Sequence, residues 1–392
     1  MKPTFKLRSS SRQVTLAVAA AFGLGGSALA GPTINFGKEG SLNFTYSLQA
    51  WGQSRDFTSP TDSGKTTDFF LRRNRLTFSG QYNDLIGFYA NLDAPGDSRG
   101  GQDDRSIFFR DAYITIDHSD PLRFIVGRFK NTFTRENLEA CFDPLTMDRA
   151  ELLTYTPWGG SRDTGVAMWG NLADGLVNYR LMIADGREGN PVVKDGPRMT
   201  ARVHVSLLDA ETDYGYRGTY LGTKQVLTIG AAVDRQSKVA YGNSVALTDP
   251  KDYKAWTVDV FFEKPTALGT FTASAAAVRY DTGKVHFGLA PDSDLPAGTD
   301  LEGHYVKAAY LLPSRVGPGR LQFFGRAERS KYNMPMGYRD QKWTGLGAHY
   351  YIDGQQLKIS AEFANVKFDV QNPDNPAQRD YKQFTAGLQF IF

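Results

Sequence analysis

Residues 381–392 read YKQFTAGLQFIF, and in an extended chain they split into two unlike faces. Phe384, Ala386, Leu388, Phe390 and Phe392 fall on one side, and Gln383, Thr385, Gly387 and Gln389 on the other, because successive side chains of a strand point to opposite faces. One face suits hydrocarbon and the other suits water. That is the pattern of a strand in a transmembrane barrel, where lipid and lumen alternate along each segment.

Working outward from this segment, similar stretches recur along the whole chain from 41–52 onward, and their count of about sixteen is even, as such barrels require. Long connections near 53–66, 95–105, 131–161, 186–196, 235–251, 281–301, 330–339 and 369–379 alternate with short ones near 81–83, 118–120, 172–175, 264–267, 313–318 and 352–354. External loops are long and periplasmic turns short in this class. Residues 207–222 (LLDAETDYGYRGTYLG) break the pattern, since they fall where a turn is expected and are too long for one.

The mean hydropathy of −0.39 looks soluble, but a barrel with a wet lumen averages its hydropathy away. A soluble sandwich or propeller would alternate too; a propeller, however, should repeat about every 40 residues, and this chain shows no such repeat. Aromatic residues make up 13% of the chain, and clusters such as Tyr46, Trp51, Phe69–Phe70, Trp256, Phe261–Phe262, Trp343 and Tyr350–Tyr351 fall near strand ends. Interfacial aromatic girdles are the expectation there. The fold class expected is therefore all-β, a transmembrane antiparallel β-barrel.

Residues 1–30 read as a cleavable signal peptide, with Lys2, Lys6, Arg8 and Arg12 before an apolar run at 14–24 and Ala28-Leu29-Ala30 at its end. Its apolar run is short of the roughly 20 residues of a spanning helix. The barrel then occupies 31–392 as a single domain. The leader takes four of the 45 Lys and Arg and none of the 42 Asp and Glu, which leaves 41 basic against 42 acidic residues. A near-neutral mature chain gives no support to a nucleic-acid partner. Cys141 is the only cysteine, which excludes an intrachain disulfide and cysteine-based metal clusters.

No catalytic machinery stands out. His118, His204, His286, His304 and His349 are scattered and form no short metal-ligand motif. Gly64-Lys65-Thr66 and Gly283-Lys284 lack the earlier glycine of a phosphate loop, and no GxSxG elbow is present. The chain is read as a non-enzyme, with no catalytic residues, no metal site and no cofactor.

Four segments together resemble the phosphate-selective porin O and P family of Gram-negative outer membranes. They are residues 69–76 (FFLRRNRL), 110–113 (RDAY), 126–130 (VGRFK) leading to 133–136 (FTRE), and 162–166 (RDTGV), in matching order and spacing. The resemblance is strongest over 67–206 and returns in the aromatic-ended last strand. It implies a homotrimer of barrels of about sixteen strands, a third external loop folded inward to narrow the pore, and an arginine ladder with central lysines that selects phosphate or a similar small anion. The sequence offers such a loop at 131–160, with helix-like pieces at 135–142 and 146–153 and Thr134 and Thr146 as N-caps; an ordinary external lid is the alternative.

Alternation nominates the luminal cations. With Leu76 and Phe78 facing lipid, Arg73 and Arg75 share the lumen with Thr77 and Ser79; with Val177, Tyr179 and Leu181 outward, Arg180 faces in; with Ala201, Val203 and Val205 outward, Arg202 and His204 face in. In 122–130 both faces are apolar, so Lys130 is luminal only if Leu122, Phe124 and Val126 share the inner side; it is included because the narrowing loop starts there. Arg73, Arg75, Lys130, Arg180 and Arg202 are thus the candidate pore-lining, anion-binding residues, since Arg offers a planar fork of donors to an oxyanion. Asp111, Asp259, Glu328 and Glu362, with Glu136, Glu139, Asp143, Asp148 and Glu151 in the loop, oppose them in charge. The bland account is that opposed charges brace the wall.

The function expected is passive diffusion of small hydrophilic solutes across the outer membrane, biased towards anions, with outer-membrane lipid and lipopolysaccharide as surroundings. The alternatives are a sheath or scaffold barrel around a periplasmic or extracellular partner, as in porin–cytochrome assemblies, and a membrane hydrolase with loop-borne residues.

Overall fold

The computed structural model describes residues 31–56, 64–94, 106–150, 161–186, 196–243, 246, 248–281, 300–332, 339–373 and 378–392. The leader read at 1–30 lies outside the described residues. After a short first strand β1 (Thr33–Phe36), the chain runs through β2 (Gly40–Asp56), β3 (Lys65–Gln81), β4 (Ile86–Asp93), β5 (Phe108–Ser119) and β6 (Leu122–Lys130). It continues through β7 (Arg162–Leu172), β8 (Val177–Ala184), β9 (Arg198–Ser206), β10 (Val226–Asn243), β11 (Thr248–Thr266) and β12 (Gly269–Asp281). It ends with β13 (Leu301–Leu311), β14 (Arg320–Lys331), β15 (Gln341–Asp353), β16 (Leu357–Phe368) and β17 (Tyr381–Ile391).

Each strand from β2 onward pairs antiparallel with its sequence neighbours, and β17 pairs with β2, closing a 16-strand antiparallel barrel. Closure matters because a bilayer offers no water to an open sheet edge. The seam is tight: Tyr46 and the terminal Phe392 exchange both main-chain hydrogen bonds at 2.9 Å, and Gln49 Nε2 donates to Gln389 Oε1 at 2.6 Å. The additional strand β1 folds back on β2, with Thr33 opposite Asn43.

Alternation holds along the wall. Leu346, Phe363, Phe384 and Val306 are exposed on the outside, while Gln389, Gln322, Thr257 and Ser79 are buried inside. The expected aromatic girdle is corrected by half. Phe261, Tyr351, Trp343 and Phe70 are buried on the inner side, whereas Trp256 and Phe69 face out. Adjacent aromatics such as Phe261–Phe262 cannot share a face in a strand of period two.

Leu346, 73% exposed, sits midway along β15 on the lipid face. Leu346→Arg is therefore expected to cost about 2–4 kcal/mol in urea unfolding from phospholipid vesicles. An unchanged midpoint would place this residue away from hydrocarbon.

Candidate functional site: the constricted bore

Past Lys130, the last residue of β6, the chain turns into a short helix α1 (Arg135–Leu138). Thr134 caps it, accepting from the Asn137 amide at 3.1 Å. The helix is shorter than the expected 135–142, because Glu139 leaves it to form a main-chain bridge with Tyr216. The second expected helix, at 146–153, is corrected: residues 146–149 form bends, 150 is irregular, and 151–153 lie outside the described residues. Pro144 precedes it, and Thr146 donates its hydroxyl to the Asp148 carbonyl at 2.8 Å.

Side chains from all round the wall hold this segment. Arg202 of β9 donates to the Phe133 carbonyl at 3.3 Å, and Lys307 of β13 pairs with Glu136. Arg326 of β14 donates to the Arg149 carbonyl at 3.2 Å. Lys358 of β16 and Gln389 of β17 both donate to the Phe142 carbonyl, at 2.8 and 3.0 Å. Arg72 and Arg73 of β3 grip Asp148, each at 2.8 Å. A segment bonded to β3, β9, β13, β14, β16 and β17 of a closed barrel crosses its bore.

The long connection after β9 explains itself in the same way. Residues 207–225 enter the bore from the turn side, and Tyr214 and Tyr216 are almost fully buried. The Ala140 amide donates to the Tyr216 carbonyl at 2.9 Å, the Tyr216 amide to Leu138 at 3.3 Å, and the Gly218 amide to Asp143 at 3.0 Å. A Cβ on Gly218 would come within 2.5 Å of the Asp143 carbonyl oxygen and the Leu145 nitrogen, so glycine permits the crossing. Arg135 makes a two-pronged pair with Glu211 at 2.7 and 2.8 Å. The two inward segments thus meet mid-bore and hold each other.

Two β-bulges aim extra arginines inward. Gln49 faces Arg73 while Ala50 faces Leu71, leaving Arg72 as the extra residue of β3; Asn91 faces Asp111 while Leu92 faces Phe109, leaving Arg110 extra in β5. A bulge re-aims the local side chains, so Arg110 reaches Asp93 at 3.1 Å beside Arg75 at 3.0 Å from the same carboxylate.

The five nominated residues fall into two groups. Arg180 and Arg202 meet at the Tyr216 hydroxyl, at 2.7 and 3.1 Å. Arg180 also donates to the Tyr214 and Asp213 carbonyls at 2.9 Å, and Arg202 pairs with Asp259 at 2.7 Å. Arg73, Arg75 and Lys130 gather around Cys141, and Lys130 also adjoins the first group, since its carbonyl accepts from the Tyr214 hydroxyl at 3.3 Å. Burial alone would raise the Cys141 thiol, yet Arg149, Arg75, Lys130 and Arg73 hold it well below its ordinary range. Lys130 gets there by an unexpected route: Ile125 and Phe129 face in and Val126 and Arg128 out, but the strand ends at Lys130, whose Nζ donates to the Leu138 and Glu139 carbonyls at 3.4 and 2.5 Å.

Sequence reasoning missed Lys307, Lys358, Arg162 and Arg326. Alternation could have nominated Lys307, since Val306 and Ala308 face outward on either side of it. Arg162 pairs with Asp111 at 2.9 Å, and Arg326 with Glu362 at 2.8 Å and Glu328 at 2.9 Å.

A closed 16-strand barrel with a polar, ion-paired interior and an apolar outside defines an outer-membrane porin channel. The model of the family "Phosphate-selective porin O and P" matches residues 44–392, and the chain belongs to that family. No curated protein matches it. Solved structures share the fold: OmpF of Salmonella typhi in complex with daunomycin has a TM-score of 0.59 at 15% identity, covering 92% of this chain and 100% of that one. The outer membrane channel DcaP of Acinetobacter baumannii has 0.58 at 13%, covering 92% and 99%. OmpT of Vibrio cholerae, in a trimer form, has 0.54 at 12%, covering 91% and 100%. Family and fold both point to a channel and not an enzyme, and they place it in the outer membrane.

Glu139, in the loop, is pushed up to about 7 by burial and by the neighbouring Glu136 carboxylate, against the pull of Arg135, Lys307 and Arg149. A carboxyl raised above its unfolded value holds its proton more tightly in the folded state. Its contribution is present in acid and is lost as pH rises through about 7. Amide protection over 135–145, corrected for intrinsic exchange, should fall between pH 6 and pH 8 in the wild type and stay level in Glu139→Gln. Equal pH dependence in both would show that Glu139 does not govern the stability of this segment.

Proposed function

We propose that this porin passes small hydrophilic solutes by passive diffusion and favours small anions, phosphate or a similar oxyanion among them. The observation that carries the reading is the charge balance of the corner around Cys141. Arg72, Arg73, Arg75, Arg110, Lys130, Arg149 and Arg162 stand there against Asp93, Asp111, Asp148 and the Cys141 sulfur. Lys130 donates to carbonyl oxygens, and Arg149 to the Glu139 carbonyl and the Cys141 sulfur. Neither pairs with a carboxylate among the described residues. A ring with excess cations at a narrow point favours one sign of ion.

Elsewhere in the bore the pairing is close to even, as with Arg202–Asp259, Arg198–Asp234 and Lys307–Glu136. Selectivity therefore rests on the one corner. The bore already carries two segments of the chain itself, which leaves less room for a partner and weighs against the sheath reading. We read the assembly as a homotrimer, exported by the leader at 1–30 and set in outer-membrane lipid and lipopolysaccharide.

Purified protein in a planar bilayer under a salt gradient should give an anion-favouring reversal potential, with phosphate blocking chloride current. Lys130→Ala should weaken that block about tenfold or more, the worth of a hydrogen bond to a charged group. Conductance without charge preference would make this a general porin. Absence of conductance would favour the scaffold.

A further inference from the structure

The outer face of β14–β17 carries cations that the bore does not use. Arg329 of β14 lies directly opposite Lys342 of β15, and Lys342 directly opposite Lys367 of β16. Lys382 of β17 faces Asn365, two residues from Lys367 on the same side of β16. Like charges directly opposite one another in a sheet are destabilising. Lys342, Lys367 and Lys382 point outward, since their neighbours Trp343, Val366 and Tyr381 are buried inside. All of them stand at the long-loop ends of their strands.

Carboxylates compensate only in part. Asp369 pairs with Arg329 and lies 3.8 Å from Lys342. Glu302 lies 3.9 Å from Lys331 and equally far from Arg279. Asp340 and Asp380 accept from the Tyr332 and Phe368 amides, each at 2.8 Å. Among the described residues Lys367 and Lys382 form no ion pair. Below the cations, Leu346, Phe363 and Phe384 present an exposed apolar surface on the same strands. Cations capping an apolar band match an amphiphile with an anionic head and several acyl chains.

We propose that this face binds a phosphorylated glycolipid of the outer leaflet, with its phosphates on Lys342, Lys367 and Lys382 and its acyl chains along Leu346, Phe363 and Phe384. The proposal rests on reading the barrel as an outer-membrane channel whose long connections face outward. It deepens the lipopolysaccharide environment of that reading into a specific site.

The test measures binding of lipid A to the purified full-length protein in detergent by native mass spectrometry, with bis-phosphorylated and dephosphorylated lipid A as probes. Lys342→Gln/Lys367→Gln/Lys382→Gln should bind the bis-phosphorylated form about a hundredfold more weakly than wild type. Lys264→Gln, at the turn end of β11, should bind it as wild type does. The dephosphorylated form should bind both weakly, and inorganic phosphate should not displace the glycolipid. If the triple variant fails to fold, each single variant should lose about fivefold.

Equal affinity in the lysine variants, equal affinity for dephosphorylated lipid A, or displacement by inorganic phosphate alone would overturn the proposal. So would dissociation of the oligomer by these substitutions, which would make the face a subunit contact. Conductance of the same samples is read separately, so a failed channel and a failed glycolipid site are distinguishable.

Discussion

A guanidinium taken out of water must find a carboxylate or a carbonyl within bonding reach, and the interior of this barrel is organised by that need. A wide ring of strands has luminal side chains too short to meet across it, so an empty bore would leave the wall cations to water. Here the chain supplies the partners itself. Asp148, Glu136 and the carbonyls of Phe133, Phe142 and Arg149 receive Arg72, Arg73, Lys307, Arg202, Lys358 and Arg326. Breaking one partner of a buried pair leaves a charge stranded, at a cost of about 3–5 kcal/mol, so the segment at 131–150 is held from many sides at once.

The second inward segment makes the arrangement a joint between two ends of the molecule. Arg135 with Glu211 supplies its charge pair, and Burial alone would raise the Glu211 carboxyl, yet Arg135 keeps it down at about 2. Aromatic packing completes it: Phe129 and Trp169 of the wall meet Tyr214 edge-on at 6.5 and 5.6 Å. One side of the bore is therefore a packed core of Tyr113, Ile125, Leu138, Met182 and Tyr216. The cation-rich corner adjoins this core at the long-loop ends of the same strands, where Lys130 closes β6 and Arg162 opens β7.

Much of this was legible from period two alone. Alternation put Arg73, Arg75, Arg180, Arg202 and His204 on one side of their strands, and the structure places those side chains inside. It was blind to Arg72 and Arg110, because a bulge adds one residue and leaves no mark in the composition of the strand. Lys130 illustrates a different limit: the alternation of β6 points away from the bore, and only the end of the strand turns the lysine in. The length of 207–222 was visible as an anomaly, yet its meaning depended on Gly218 and Tyr216 meeting a segment some 75 residues away in sequence. Helix-like composition at 146–153 lost to the charge contacts of Asp148, since fixed wall arginines outweigh a weak local propensity.

The two inward segments hold each other, and the width of the pore depends on that joint. Single-channel conductance of Gly218→Val beside the wild type tests it most directly, because a side chain there collides with the backbone of the opposing segment at the crossing. A correctly folded barrel with a larger and noisier unitary conductance is expected. A folded Gly218→Val barrel whose unitary conductance equals that of the wild type would contradict it.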